Sequence, residues 1–129
     1  MIDKQEVEKM REAYGKFYEI ENFIRLFISK NMALLYGVNW YEISVRKLKK
    51  RRPNKAFDKL LYHELISILK LYSNSKLQVI PQSLIMELNY LTPIRNKIAY
   101  TISLEENEYE YLINLYKELN NIIINQDES

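Results

Sequence analysis

From Val7 onward, apolar side chains return every three or four residues: Val7, Met10, Tyr14, Phe17, Ile24 and Ile28 fall on one stripe, with Glu21 as an acidic step inside it. That spacing is the seam of a long amphipathic helix. Asp3-Lys4-Gln5-Glu6 supplies an acidic N-cap with a capping-box partner, and Gly37 after Tyr36 supplies the stop. Gly15 sits inside this helix and weakens it, so a kink or a close helix contact is expected there.

The pattern continues with a short segment from Asn39 to about Lys50, whose Trp40, Ile43 and Leu48 predict one or two helical turns packed on the rest. Arg52-Pro53-Asn54 is a break. A second long helix is predicted from about Asn54 to Tyr72, with Phe57, Leu61, Leu65, Ile68 and Tyr72 on its main face and Ser73-Asn74-Ser75 ending it. Pro81 opens a third helix through Leu84, Ile85, Leu88 and Leu91. Thr92-Pro93 then reads as an N-cap followed by the first position of a new helix, so the junction either kinks the third helix or separates it from the next. Ser103-Leu104-Glu105-Glu106 is another capping box, Leu112, Leu115, Leu119 and Ile122 give the last helix its seam, and the tail from Asn125 to Ser129 should fray. The fold class is therefore all-α: an up-and-down helical bundle of four main helices plus one short helix, in a single domain over residues 1–129.

Composition narrows the chemistry. The chain has no cysteine, which excludes thiol catalysis and thiolate metal sites and fits a cytosolic protein. With one histidine, His63, a zinc site is not expected, and neither is a cofactor. No apolar run is long enough for a bilayer, and the charged start Met1-Ile2-Asp3-Lys4 is unlike a signal segment, so no membrane partner is expected. Eleven tyrosines are many for this length. They suit the edge of a core, and equally the stacking of bases.

The net charge of +2 hides an asymmetry. Seven of the ten residues from Arg46 to Lys55 are basic: Arg46, Lys47, Lys49, Lys50, Arg51, Arg52 and Lys55. Residues 104–129 hold seven acids against the single base Lys117. The basic run is either a solvated face or a contact for RNA phosphates, which would make binding fall with salt.

Candidate chemistry gathers after Pro93. A helix starting there puts Arg95 and Asn96 in its first turn, where free backbone donors favour an anion, and Tyr100 lies four residues beyond Asn96 on the same face. Glu21, a carboxylate in an apolar seam, needs a cation: either it pairs locally with Arg25, or it faces and orients the Arg95 cluster. His63 shares the polar strip of its helix with Lys59, Ser67 and Lys70, which makes it a solvated residue rather than a general base, unless a dimer brings it to a partner's site.

Arg95-Asn96-Lys97-Ile98-Ala99 followed by a polar residue resembles the Arg-Asn-x-x-Ala-His signature of HEPN domains, small helical bundles of bacterial defence and toxin systems. Glu21-Asn22-Phe23-Ile24-Arg25 and Leu35-Tyr36-Gly37, with Trp40-Tyr41 after them, resemble the first-helix region of abortive-infection-type members. Tyr100 stands where the family usually has histidine. The resemblance implies a homodimer, a metal-independent endoribonuclease site at Arg95, Asn96 and Tyr100 with Glu21 orienting it, and a cognate antitoxin or nucleotidyltransferase as partner. Tyrosine keeps its proton at neutral pH, so the expected protein is a non-catalytic or weakly active module that binds RNA or a nucleotide. Little or no wild-type cleavage is expected, raised by Tyr100→His, which restores the family pattern, and abolished by Arg95→Ala; the alternatives are a ribonuclease using an Arg-x4-Tyr site and a protein-interaction scaffold. Phe23, Phe27, Tyr36 and Trp40 exceed what one thin bundle should bury, which also predicts a homodimer.

Overall fold

A computed structural model describes residues 2–50, 52–72 and 80–128, with the backbone alone for Leu48, Tyr72 and residues 123–128. The expectations for Arg51, Ser73-Asn74-Ser75, Ser129 and the Leu48 and Tyr72 side chains lie outside this range. Among the described residues all regular structure is helical: α1 (Lys4–Tyr36), α2 (Trp40–Lys49), a 3-10 turn (Phe57–Lys59), α3 (Tyr62–Tyr72), α4 (Gln82–Tyr90), α5 (Thr92–Ala99) and α6 (Glu106–Glu128). Among those residues, no helix is long and apolar enough to cross a membrane.

The limits of α1 follow from its two caps. Asp3 accepts the Gln5 N–H at 2.9 Å, and Gly37, at φ 91°, lets its own N–H close on the Ala33 carbonyl. Glu6 does not complete the expected capping box, and its Oε1 is buried without a partner. The helical run of α1 continues past Gly15, with open space where a side chain would project, so no close helix contact forms there.

The buried stripe of α1 is Ala13, Phe17, Ile20, Ile24, Phe27, Ile28 and Met32. It lies one residue away from the predicted seam in its first half: Tyr14 and Val7 are exposed, and Ala13 and Ile20 take the places assigned to Tyr14 and Glu21. Of the aromatics invoked for a dimer, Phe27 and Trp40 are buried within the single chain, Phe23 is partly buried and Tyr36 stays exposed. Exposed aliphatic side chains include Leu26, Leu34, Val38 and Ile43.

The second long helix also departs from expectation. It begins at Tyr62, not Asn54; Phe57 belongs to the preceding 3-10 turn, and Leu61 is exposed. The four-residue spacing of Phe57, Leu61 and Leu65 thus runs across a junction, while Leu60 and Tyr62 are the side chains that enter the core. Glu64 caps the new start by accepting the Leu61 N–H at 2.9 Å.

Pro81 precedes α4, and Leu84, Ile85, Leu88 and Leu91 are buried as expected. Thr92 is helical rather than an N-cap: Leu91 takes that position with α-helical angles, and no side chain caps α5. The Arg95 N–H donates to the Leu91 carbonyl at 2.9 Å, so that first-turn donor is not available to an anion. α5 ends in a Schellman turn, in which Ile102 N–H bonds the Lys97 carbonyl and Thr101 N–H the Ile98 carbonyl. Thr101 holds the left-handed position at φ 57°, unusual for a β-branched residue.

α6 closes the bundle against α1, and the two run parallel. Lys9 meets the Leu104 carbonyl at 2.7 Å and Glu106 at 3.7 Å, the Tyr109 hydroxyl donates to Glu12 at 2.6 Å, and the Lys16 ammonium sits 4.2 Å from the Tyr116 ring centre. Strict up-and-down alternation of four helices would make the first and last antiparallel. The break at Pro93 accounts for the difference: α5 becomes a separate helix that returns the chain to the first half of α1, so α6 starts there and follows α1. α6 stays helical to Glu128, through the tail expected to fray.

Candidate functional site

Arg95 is half-buried on α5 and lines a hollow of about 170 Å³ with Ile98, Ala99 and, from α1, Tyr14, Phe17, Tyr18 and Glu21. Two of the four expected catalytic residues, Arg95 and Glu21, therefore meet at one place although 74 positions separate them (95 − 21). The other two do not join them. Asn96 is exposed and accepts from the Arg95 guanidinium at 3.3 Å, beside the hollow rather than in it. Tyr100 caps the C-terminus of α5 and is 74 % exposed, outside the lining.

Both local and site readings of Glu21 describe part of what is seen. Its carboxylate is held by Arg25 at 3.4 Å, and Arg25 also donates to Asn22 at 2.9 Å and to the Leu60 carbonyl at 3.0 Å. Glu21 thus faces the Arg95 hollow while its charge is balanced from α1. What the hollow offers is a guanidinium, a paired carboxylate and two exposed tyrosine rings, Tyr14 and Tyr18, whose centres lie 6.4 Å apart. It can take a phosphate on Arg95 and a base against a tyrosine ring. It contains no group able to accept a proton at neutral pH except Glu21, which Arg25 engages.

The basic run occupies α2 and the chain after it. Arg46 is tied to Glu42 at 2.7 Å and Lys55 to Glu64 at 2.6 Å. Lys47, Lys49, Lys50 and Arg52 are exposed and, among the described residues, make no ion pair. Lys50 ends α2 in the left-handed conformation, φ 54°, its N–H on the Arg46 carbonyl. Glu64 is half-buried. Burial raises its pKa, but the hydrogen bonds from Lys55 and the Leu61 N–H overcome this and leave it below the usual carboxylate range. His63 is exposed, as its place on the polar strip predicts.

Several residues of interest escaped the sequence pattern. The seam spacing puts Tyr14 in the core, and no motif marks Tyr18 or Ser44. Ser44 left a signal: it stands between Trp40 and Leu48 in the apolar phase of α2, where a hydroxyl is out of place. Compared with known proteins, the chain matches no family model, no curated protein and no solved structure.

Proposed function

We propose that this chain is an HEPN-like helical module that binds single-stranded RNA along α2 without cutting it. The observation that carries the reading is the row of four exposed basic side chains, Lys47, Lys49, Lys50 and Arg52, none committed to an acid among the described residues. Basic side chains free of intramolecular partners can release the counterions of a phosphate backbone on contact. Arg95 adds a second cation on another face, with Tyr14 and Tyr18 beside it. A homodimer belongs to the same proposal, now supported by the exposed Leu26, Leu34 and Val38 rather than by Phe27 and Trp40.

Cleavage of RNA needs a base for the 2′-hydroxyl and an acid for the leaving oxygen beside the cation. Tyr100 projects into solvent outside the Arg95 hollow, so a histidine there gains no contact with Arg95. Wild-type protein and Tyr100→His are both expected to leave RNA intact in the presence of chelator. The decisive measurement is fluorescence anisotropy with a labelled single-stranded RNA over a range of salt. Affinity should fall linearly on logarithmic axes, with a slope of about −0.7 for each phosphate engaged. Absence of binding at low salt removes the RNA reading. Strong cleavage in chelator that vanishes in Arg95→Ala replaces it with the ribonuclease reading.

A further inference from the structure

A second hollow, of about 220 Å³, lies between α2 and α3, closed on one side by the chain that joins them. Ser44, Val45 and Lys49 come from α2, Leu60 from the connection, and His63 and Ile68 from α3. Tyr41 lines it too, packed edge-on against Trp40 and Phe57 with ring centres 5.7 Å apart, its hydroxyl donating to the Lys55 carbonyl at 2.9 Å.

Three features of this hollow point to one class of ligand. Its lining is mainly apolar, through Val45, Leu60 and Ile68, which suits a ring better than a hydrated ion. Ser44 is 1 % exposed and its hydroxyl has no hydrogen-bond partner, an uncommon state for a buried polar atom. A hydrocarbon would leave that hydroxyl unpaired; a ring with polar edges satisfies it. At the mouth, Lys49 and His63 are exposed, whereas Lys55 and Glu64 neutralise each other at 2.6 Å. Tyr41 is the remaining titratable group of the lining, and burial together with Glu64 raises its pKa, so it stays neutral. The mouth therefore carries a spare positive charge next to the basic row of α2. A cavity of about 150 Å³ accommodates benzene, so this one has room for a nucleobase.

We infer that the hollow between α2 and α3 takes a single nucleotide, its base inside against Ser44 and its phosphate at the mouth on Lys49 and His63. The nucleotide is either a free nucleoside monophosphate or one unpaired residue of an RNA strand; only the second source rests on the RNA reading above.

The test compares ligands that differ in the base alone: uridine 5′-monophosphate against ribose 5-phosphate, and a short oligouridylate against its abasic counterpart. Wild-type protein should favour the base-bearing member of each pair by about tenfold. Ser44→Leu, which fills the hollow, should erase that margin and leave the salt slope of strand binding unchanged. Thermal melts verify folding of this variant, and Ser44→Ala, which removes the hydroxyl without adding bulk, should reduce the margin if the larger side chain is not tolerated. Equal affinity for base-bearing and base-free ligands overturns the inference, and strand binding that still falls with salt then leaves the RNA reading standing. Binding of the monophosphate with none of the strand upholds the inference and discards the RNA reading. No binding of either discards both.

Discussion

The hollow beside Arg95 and the hollow beside Ser44 are linked through Arg25, which lines neither: its guanidinium bonds Glu21 in the lining of the first and the Leu60 carbonyl in the lining of the second. They differ in how they arise. The first holds the residues that a short motif singles out, but its carboxylate is already paired, Glu21 on Arg25, and its Arg95 cation holds only a hydrogen bond to the neutral Asn96 amide. The second carries no motif, but keeps an unpaired buried hydroxyl and opens beside cations without partners. A recognisable cluster and an unsatisfied one are thus different places in this molecule. Unmet hydrogen-bonding capacity is the better physical pointer to a ligand, because satisfied groups gain little by binding.

The sharpest way to break this comparison is to remove charge from one side at a time. Replacing Lys47, Lys49, Lys50 and Arg52 together by alanine should weaken RNA binding by about a hundredfold or more at low salt, whereas Arg95→Ala should change it by less than about threefold. Anisotropy titrations of the two variants decide the ranking, and the reverse order would move the interface to the hollow between α1 and α5.

Cutting the Arg25 link should be felt in stability. Arg25→Met leaves Glu21 half-buried without its cation and the Leu60 carbonyl without its donor, a loss of about 2–3 kcal/mol in urea unfolding. Ser44→Ala works in the opposite direction: removing an unpaired buried hydroxyl should raise stability by about 1 kcal/mol, the expected sign for a group kept for something other than folding. Thr101→Gly, next to the exposed Tyr100, should add about 0.5–1 kcal/mol by relieving the left-handed conformation of a β-branched residue.

Acid should act on the fold through carboxylates shifted in opposite directions. Glu64 lies on the α2–α3 hollow, and its pKa is lowered although burial opposes the shift; that of Glu108 is lowered chiefly by its hydrogen bond from Lys97, then by the Glu105 N–H. A carboxylate depressed in the folded state stabilises above its unfolded pKa, about 4.3, and loses that contribution as pH falls through the lower folded value. Glu118 runs the other way, raised by burial and by Glu87, so its protonation on acidification favours the fold. Urea midpoints measured downward from pH 5 should therefore fall less steeply in Glu64→Gln than in wild type. Identical profiles would show that the Lys55–Glu64 pair does not hold the mouth of the hollow together.

Much of the helix plan was legible because its signals are local. Asp3, Gly37 and Pro81 mark ends through their own backbone chemistry, and Leu84, Ile85 and Leu88 read as buried on a helix with one apolar face. The register of α1 was harder. Over 33 residues two adjacent stripes both carry large side chains, and Tyr14, amphipathic, fits either side of a core boundary. The start of α3 was misplaced because Phe57 and Leu61 keep helical spacing through a segment that is not α-helical. Of the candidate site, the pairing of Glu21 with Arg25 is an i,i+4 contact and readable as such. The hollow around Ser44 was not, since it forms only when residues 41–49 and 60–68 are brought side by side.

The parallel pairing of α1 with α6 also bears on how the protein is made. The apolar side chains Ile20 and Phe23 of α1 line one hollow with Tyr116 and Leu119 of α6, which are synthesised roughly 90 residues later. At about 5–20 residues per second, α1 waits on the order of 5–20 seconds for the helix that covers it. During that interval the part of the 33-residue α1 that α6 covers stays open at the ribosome, free to bind a chaperone or the α1 of a neighbouring nascent chain.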